Sequence, residues 1–322
     1  MKRIIVATLI CLLVVQAAVF AGGRGEGAQY PTRNITMICP WAAGGGTDAI
    51  LRALSAAAER QIGRTIVVEN RTGGAGAIGH AAIKNARPDG YTMGMITFEL
   101  NSLPQQGLID FTFEDFEPLI LVNADAAALT VHVNAPYNTV REFVEYARRN
   151  PGTISIGNSA PGSVWHIGAG LLAAETNIDV RHIPFEGAAP AVTALAGGHI
   201  QAVSVSLAEV RGQVEAGNVK VLGVMDTQRS PMFPTVPTFQ EQGFDIVYGT
   251  WRGLALPRGV DPAIRDTLVR AFSAAMEDPD FVTTARNMNL NLQFLGPADF
   301  RNFLRDNKAA VTRTMTDLGM IQ

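Results

Sequence analysis

The stretch ICPWAAGGGTDAI, residues 38–50, sets an apolar run, a proline, three glycines and the start of a helical pattern in immediate succession. Read literally, Gly44 to Ala49 fits G-x-G-x-x-A, and Glu69 follows about twenty residues later, where a ribose-binding acid stands in dinucleotide folds. That fingerprint needs its first glycine tight against the strand end, so that the pyrophosphate lies on the helix. Here Pro40 stops the strand, and Trp41, Ala42 and Ala43 intervene before Gly44. A P-loop fails too, because it needs a lysine for the phosphates and this chain offers Thr47-Asp48. What survives is a strand, a flexible loop and a helix whose first amides lack internal partners and can face an anion, most simply a carboxylate. The competing reading is a tight turn in which Thr47 or Asp48 is an ordinary helix cap.

Outward from this loop, strand-like and helix-like segments alternate: ITMIC, AILRALSAAAERQ, TIVVE, AIGHAAIKNA and YTMGMIT. In the first helix Ile50, Leu54 and Ala57 or Ala58 share a face, and Gly63 is placed to end it. Such alternation means parallel strands covered by helices. A second series starts at TISIG (153–157) and runs to VKVLGVM, with Thr139 and Glu142 as a capping box for the helix just before it. Two stretches, 127–133 and 246–256, are read as crossovers between the units, and two long amphipathic helices are expected after Asp261-Pro262. The predicted architecture is α/β with two domains, residues 30–128 plus 252–322 and residues 129–251, each a mainly parallel sheet flanked by helices. Two crossings make a hinge and a cleft.

Each unit offers a small-residue loop and a helix N-terminus at its strand ends, the second being GNSAPGSVWH (157–166). One helix end contributes at most about 2 kcal/mol, whereas micromolar binding needs about 8 kcal/mol. Two opposed loops closing on one ligand can supply the difference.

The N-terminus reads as an export signal, residues 1–21: Lys2-Arg3, an apolar run, then small residues with Val19 and Ala21 at cleavage positions. The expected location is therefore periplasmic or otherwise outside the cytosol. Of the 26 basic residues, removal of Lys2 and Arg3 leaves 24 against 29 acids, a poor balance for nucleic-acid binding. Cys11 lies in the signal and Cys39 is alone in the remainder, so no intramolecular disulfide is expected. His80, His132, His166, His182 and His199 never adopt metal-motif spacing, and neither metal nor cofactor is expected. Ser159 in G-N-S-A-P, with Ser163 and His166 nearby, leaves an exported hydrolase as an alternative, and the glycine loop leaves a dinucleotide-dependent enzyme. Neither has its remaining parts placed. Trp41 and Trp165 both fall in loops at strand ends and are assigned to the cleft.

An ordered series of motifs spans nearly the whole chain after the signal: YPTRNITMICPWAAGGGTD, IVVENRTGGAGAIGHAAIKNARPDGYTM, NPGTISIGNSAPGSVWH, HIPFEGAAPAVTALAGGHIQ, RSPMFPTVPTF and TWRGLALP. In this order and spacing they resemble the Bug-type (TctC-like) extracytoplasmic substrate-binding proteins of tripartite tricarboxylate transporters. The resemblance implies a two-domain, type II periplasmic-binding-protein fold. It implies a monomeric non-enzyme that closes on a small carboxylate and presents it to membrane permease subunits. It also implies ligand-binding positions: Trp41, Ala43, Gly45, Gly46, Thr47 and Asp48 in the first loop, and Asn158, Ser159, Ser163, Val164, Trp165 and His166 in the second. Phe185, Glu186, Ser204 and Ser206 follow from later strand ends. There are three departures from the family pattern: Val164-Trp165 replaces two small hydroxyl residues, Glu186 stands where lysine is common, and Ser204-Val205-Ser206 replaces a Phe-Asp-Asn-like strand end. Fewer hydroxyls and one more indole favour a ligand with an apolar part. Glu186 disfavours a further carboxylate nearby.

Overall fold

A computed structural model describes residues 30–321; the export signal read from residues 1–21 lies outside these. The first lobe begins with β1 (Ile35–Cys39), α1 (Gly46–Ile62), β2 (Ile66–Asn70), α2 (Ala77–Lys84), β3 (Thr92–Thr97) and the short α3 (Glu99–Ser102). The β1, β2 and β3 strands are parallel, with Met37 opposite Val68 on one side and Met93 on the other. Helix α1 buries Ile50, Leu51, Leu54, Ala57 and Ala58, the stripe expected from its period, and Gly63 ends it at φ 68° with its amide on the Glu59 carbonyl. Helix α2 packs so closely on the β1 end that a Cβ at Gly79 would lie 2.5 Å from the Pro40 Cα and 2.7 Å from the Arg71 carbonyl oxygen.

The chain then enters β4 (Phe116–His132), seventeen residues long and shared by both lobes. Its first part pairs antiparallel with β9 (Gly249–Pro257), from Phe116 opposite Pro257 to Ala126 opposite Gly249. Its last part pairs with β7 (Ala202–Ser206) on one edge and β8 (Val219–Val224) on the other. The second lobe adds α4 (Val140–Arg149), β5 (Ile154–Asn158), α5 (Val164–Thr176), β6 (Val180–Pro184), α6 (Ala188–Ala196) and α7 (Leu207–Glu215). Strand β5 lies between β6 and β7, parallel to both. The ten strands thus form one curled mixed sheet whose halves run β2-β1-β3-β9-β4 and β4-β7-β5-β6, with β10 and β8 on the outer flanks of β4. The predicted α/β class with two lobes and a cleft at the strand C-terminal ends is what this topology produces.

Two details differ from expectation. The predicted capping box before α4 is half formed: the Thr139 hydroxyl accepts from the Glu142 amide, but the Glu142 carboxylate takes the Asn138 amide instead. The C-terminal region holds three helices rather than two, α8 (Pro262–Met276), α9 (Pro279–Asn287) and α10 (Pro297–Asp317), with β10 (Leu292–Leu295) before the last. Asp278 caps α9 by accepting from the Asp280 and Phe281 amides, which breaks the continuous helix. The core runs through both lobes; Trp251 packs edge-on against Phe300 and Phe303, and its indole N–H donates to Asn307. Among the described residues no helix is long and apolar enough to cross a membrane.

Candidate functional site

Strands β1, β3, β5 and β7 all end at the gap between the lobes, so the loops that follow them face one another. The cavity there is lined by Trp41, Ala42, Gly45, Gly46, Thr47, Thr97, Glu99, Ser159, Val164, Trp165, Gly187, Ala188, Glu209, Thr250 and Arg252. It encloses about 20 Å³, room for a single water, so entry of anything larger requires the lobes to part.

Three helices aim their N-termini at this space. Helix α1 starts after Gly45 and helix α6 after Gly187, neither with a side-chain cap, so their first-turn amides are available to a ligand anion. Helix α5 is different. The Glu99 carboxylate, from the opposite lobe, accepts from the Val164 amide at 3.0 Å and from the Thr97 hydroxyl at 2.5 Å. The Trp41 indole donates to the same Thr97 oxygen at 3.3 Å, and His80 Nε2 lies 3.3 Å from it. Burial pushes the Glu99 carboxyl above its ordinary range, against the hydrogen bonds from Thr97 and Val164. Burial also lowers His80 to about 3, so its ring is neutral.

The cationic centre of the cleft is Arg252 on β9. Its Nε donates to the Thr47 hydroxyl at 2.9 Å, Nη1 to Asp125 at 2.6 Å and Nη2 to Glu209 at 3.4 Å. Glu209 is in turn held by a capping box, its Oε2 accepting from the Ser206 amide and hydroxyl. Arg252 thereby ties both jaws together across the gap.

Of the sixteen positions taken from sequence, the structure brings Trp41, Gly45, Gly46, Thr47, Ser159, Val164 and Trp165 to the cavity. The others have neighbours outside its lining. Ala43 lies in the first loop beside it. Asp48 braces that loop, accepting from the Gly44 amide at 3.0 Å, from Arg52 and from Asn70. Burial opposes its ionisation, but the bonds from Arg52, Gly44 and Asn70 outweigh burial and leave it below the usual carboxylate range. Asn158 meets His182, and Ser163 caps α5 while accepting from Ser159. His166 turns away: its Nδ1 accepts from the Gly162 amide, and its ring packs edge-on against His182. The Ser159 hydroxyl therefore donates to Ser163 and not to His166, which is not the geometry of a nucleophile and its base. Phe185 lies against Gly157. Ser204 is buried in β7, Ser206 serves the Glu209 box, and Glu186 stands beside the lining Gly187 without belonging to it.

Sequence reading missed Thr97, Glu99, Glu209, Thr250 and Arg252. The usable signals were Arg252 as a lone charge in the apolar run GTWRGLALP, and Glu99 two residues beyond a strand end. Cys39 is buried with its thiol pushed up to about 12 by desolvation, so it stays protonated. Among the described residues no cluster of His, Cys, Asp and Glu could hold a metal.

Two lobes joined through shared strands, with helix N-termini converging in the gap, define a periplasmic-binding-protein fold. The pattern of the family described as "Tripartite tricarboxylate transporter family receptor" matches residues 50–320. The chain belongs to that family, a family of solute-binding proteins. It is 37% identical to a TctC solute binding protein from Polaromonas, with a TM-score of 0.66 over 89% of this chain and 99% of that one. The periplasmic binding protein BugD superposes with a TM-score of 0.87 at 27% identity, over 91% and 99% of the two chains. The R. palustris protein Rpa4515, solved with adipate, gives 0.86 at 25% identity, over 90% and 98%.

Proposed function

We propose that this protein captures a small organic acid between its lobes outside the cytosol and delivers it to the permease subunits of a tripartite transporter. The observation that carries the reading is the convergence of two uncapped helix N-termini, α1 and α6, on one cavity walled by Trp41 and Trp165. Backbone amides there favour a carboxylate, and the indoles favour an apolar body. Adipate in Rpa4515 supports a carboxylate ligand here. The lobe boundaries at 128/129 and 251/252, a monomeric state and binding without catalysis belong to the same reading.

The test is a thermal-shift and calorimetric screen of the exported chain against short carboxylic acids. A ligand at a hundred times its dissociation constant raises stability by about 2.7 kcal/mol. Stabilisation by a carboxylate with no product formed supports capture. Turnover of an ester, or no stabilisation by any acid, overturns it.

A further inference from the structure

Three helix N-termini converge on the cavity, and one of them already holds a carboxylate that belongs to the protein. Glu99 opens α3, two residues beyond the end of β3 in the first lobe, and its acceptor bond from the Val164 amide crosses to the start of α5 in the second. A ligand carboxylate approaching that helix end would have to displace Glu99 or sit beside it. The α1 and α6 ends have no side-chain cap, although the Glu209 side chain of the second lobe lies against Gly46 at the α1 start.

The charges around Glu99 sharpen the point. Glu99 and Glu209 both line the cavity, and Asp125 lies directly behind it, against a single lining cation. That cation, Arg252, already spends Nε, Nη1 and Nη2 on Thr47, Asp125 and Glu209. Asp48 is matched by Arg52 at 2.9 Å outside the lining, and His80 is neutral. The side of the cavity near Glu99 therefore sets three carboxyl groups against one guanidinium, and burial pushes all three carboxyls above their ordinary range. Its walls include Trp41 and Trp165. The Glu99 carboxyl accepts from Val164, Thr97 and its own backbone amide, three of the roughly four acceptor positions of a carboxylate.

We propose that Glu99 acts as a built-in carboxylate that makes this cleft select a monocarboxylate bearing a cationic nitrogen over a dicarboxylate. The ligand's own carboxylate takes the α1 and α6 ends, and its ammonium faces Glu99. This rests on the capture of a carboxylate proposed above and names its class.

Matched series of four, five and six carbons test it by calorimetry, each comprising the diacid, the terminal amino acid and the simple monoacid, such as adipate, 6-aminohexanoate and hexanoate. In at least one series the amino acid is expected to bind the wild type about tenfold to a hundredfold more tightly than the diacid, the range of a charged hydrogen bond. Glu99→Gln should reverse that order. A diacid bound as tightly as, or more tightly than, its amino acid in every series overturns this inference alone. So does a Glu99→Gln protein that keeps the wild-type order. If no member of any series binds the wild type, carboxylate capture itself fails and this inference with it. Should Glu99→Gln not fold, the wild-type order still decides.

Discussion

Arg252 Nη1 and Asp125 Oδ2 meet at 2.6 Å with their side chains only 3% and 4% exposed, across 127 positions of sequence. An ion pair this deep is costly to break, because its survivor keeps its burial and loses its partner. Arg252→Met leaves Asp125 and Glu209 facing each other and is expected to lose about 3–5 kcal/mol. Arg252→Lys, which keeps the charge but not the three-way fork, should lose less. Urea unfolding of the two variants against the wild type checks the order; equal losses would show that a charge without the fork contributes nothing.

Gly46 opens α1 where a Cβ would lie 3.0 Å from Arg252 Nη2 and 3.0 Å from the Cγ of Glu209 in the opposing lobe. Gly46→Ala should therefore act as a wedge between the jaws. The expected outcome is a larger radius of gyration by X-ray scattering and binding of a carboxylate weakened about tenfold or more, with thermal stability changed by less than about 1 kcal/mol. A variant that closes and binds as the wild type does would show that the neighbours yield.

Burial, with the neighbouring His182, lowers His166 to about 4, so it folds neutral. An unfolded histidine titrates near 6.5 and binds the proton that the folded one refuses between those values. The stability due to neutral His166 is therefore complete above pH 6.5 and is lost as pH falls toward 4, by at most about 3 kcal/mol. Protonation would also remove the acceptor for the Gly162 amide. The stability of the wild type relative to His166→Gln should shrink on acidification through this window; a constant difference from pH 7.5 to 4.5 would refute it.

The nearest atoms to a Cβ at Gly79 are the Pro40 Cα and Cβ and the Arg71 carbonyl oxygen, none of which swings aside. Gly79→Ala is expected to cost about 1–3 kcal/mol by overpacking, lowering the thermal midpoint in the absence of any ligand. An unchanged midpoint would mean that α2 can lift off β1.

What the sequence discloses follows the range of the interaction. Helix α1 is legible because Ile50, Leu54 and Gly63 signal it within one stretch, and the two parallel series follow from repeated periods of that kind. Strand β10 and the full length of β4 are not, because Pro118 and the small residues of 124–128 give no period, and the strand is fixed by its partners. The cleft divides in the same way. Gly45, Gly46, Thr47 and Ser159 could be placed from glycine loops at strand ends. Glu99 and Arg252 left only a weak local signal, since each is a single charge, and Val164 and Asp125, which help to place them, lie 65 and 127 positions away. Local grammar identifies the jaws; the contacts that tie them together are written in pairs that one chain alone does not align.

Strand β4 has a mechanical consequence. Its register shifts fall between Pro118 and Ile120, between Leu121 and Asn123, and between Leu129 and Thr130, on either side of the stretch where it passes from one half-sheet to the other. Because a continuous strand and not a loop carries that passage, the jaws move as the two ends of one torsion ribbon. The travel is set by how far the ladder tolerates twist, not by the reach of a tether. Inserting a single residue at 124–128 would not loosen such a ribbon. It would turn every following side chain to the opposite face, and one jaw would present its back to the other.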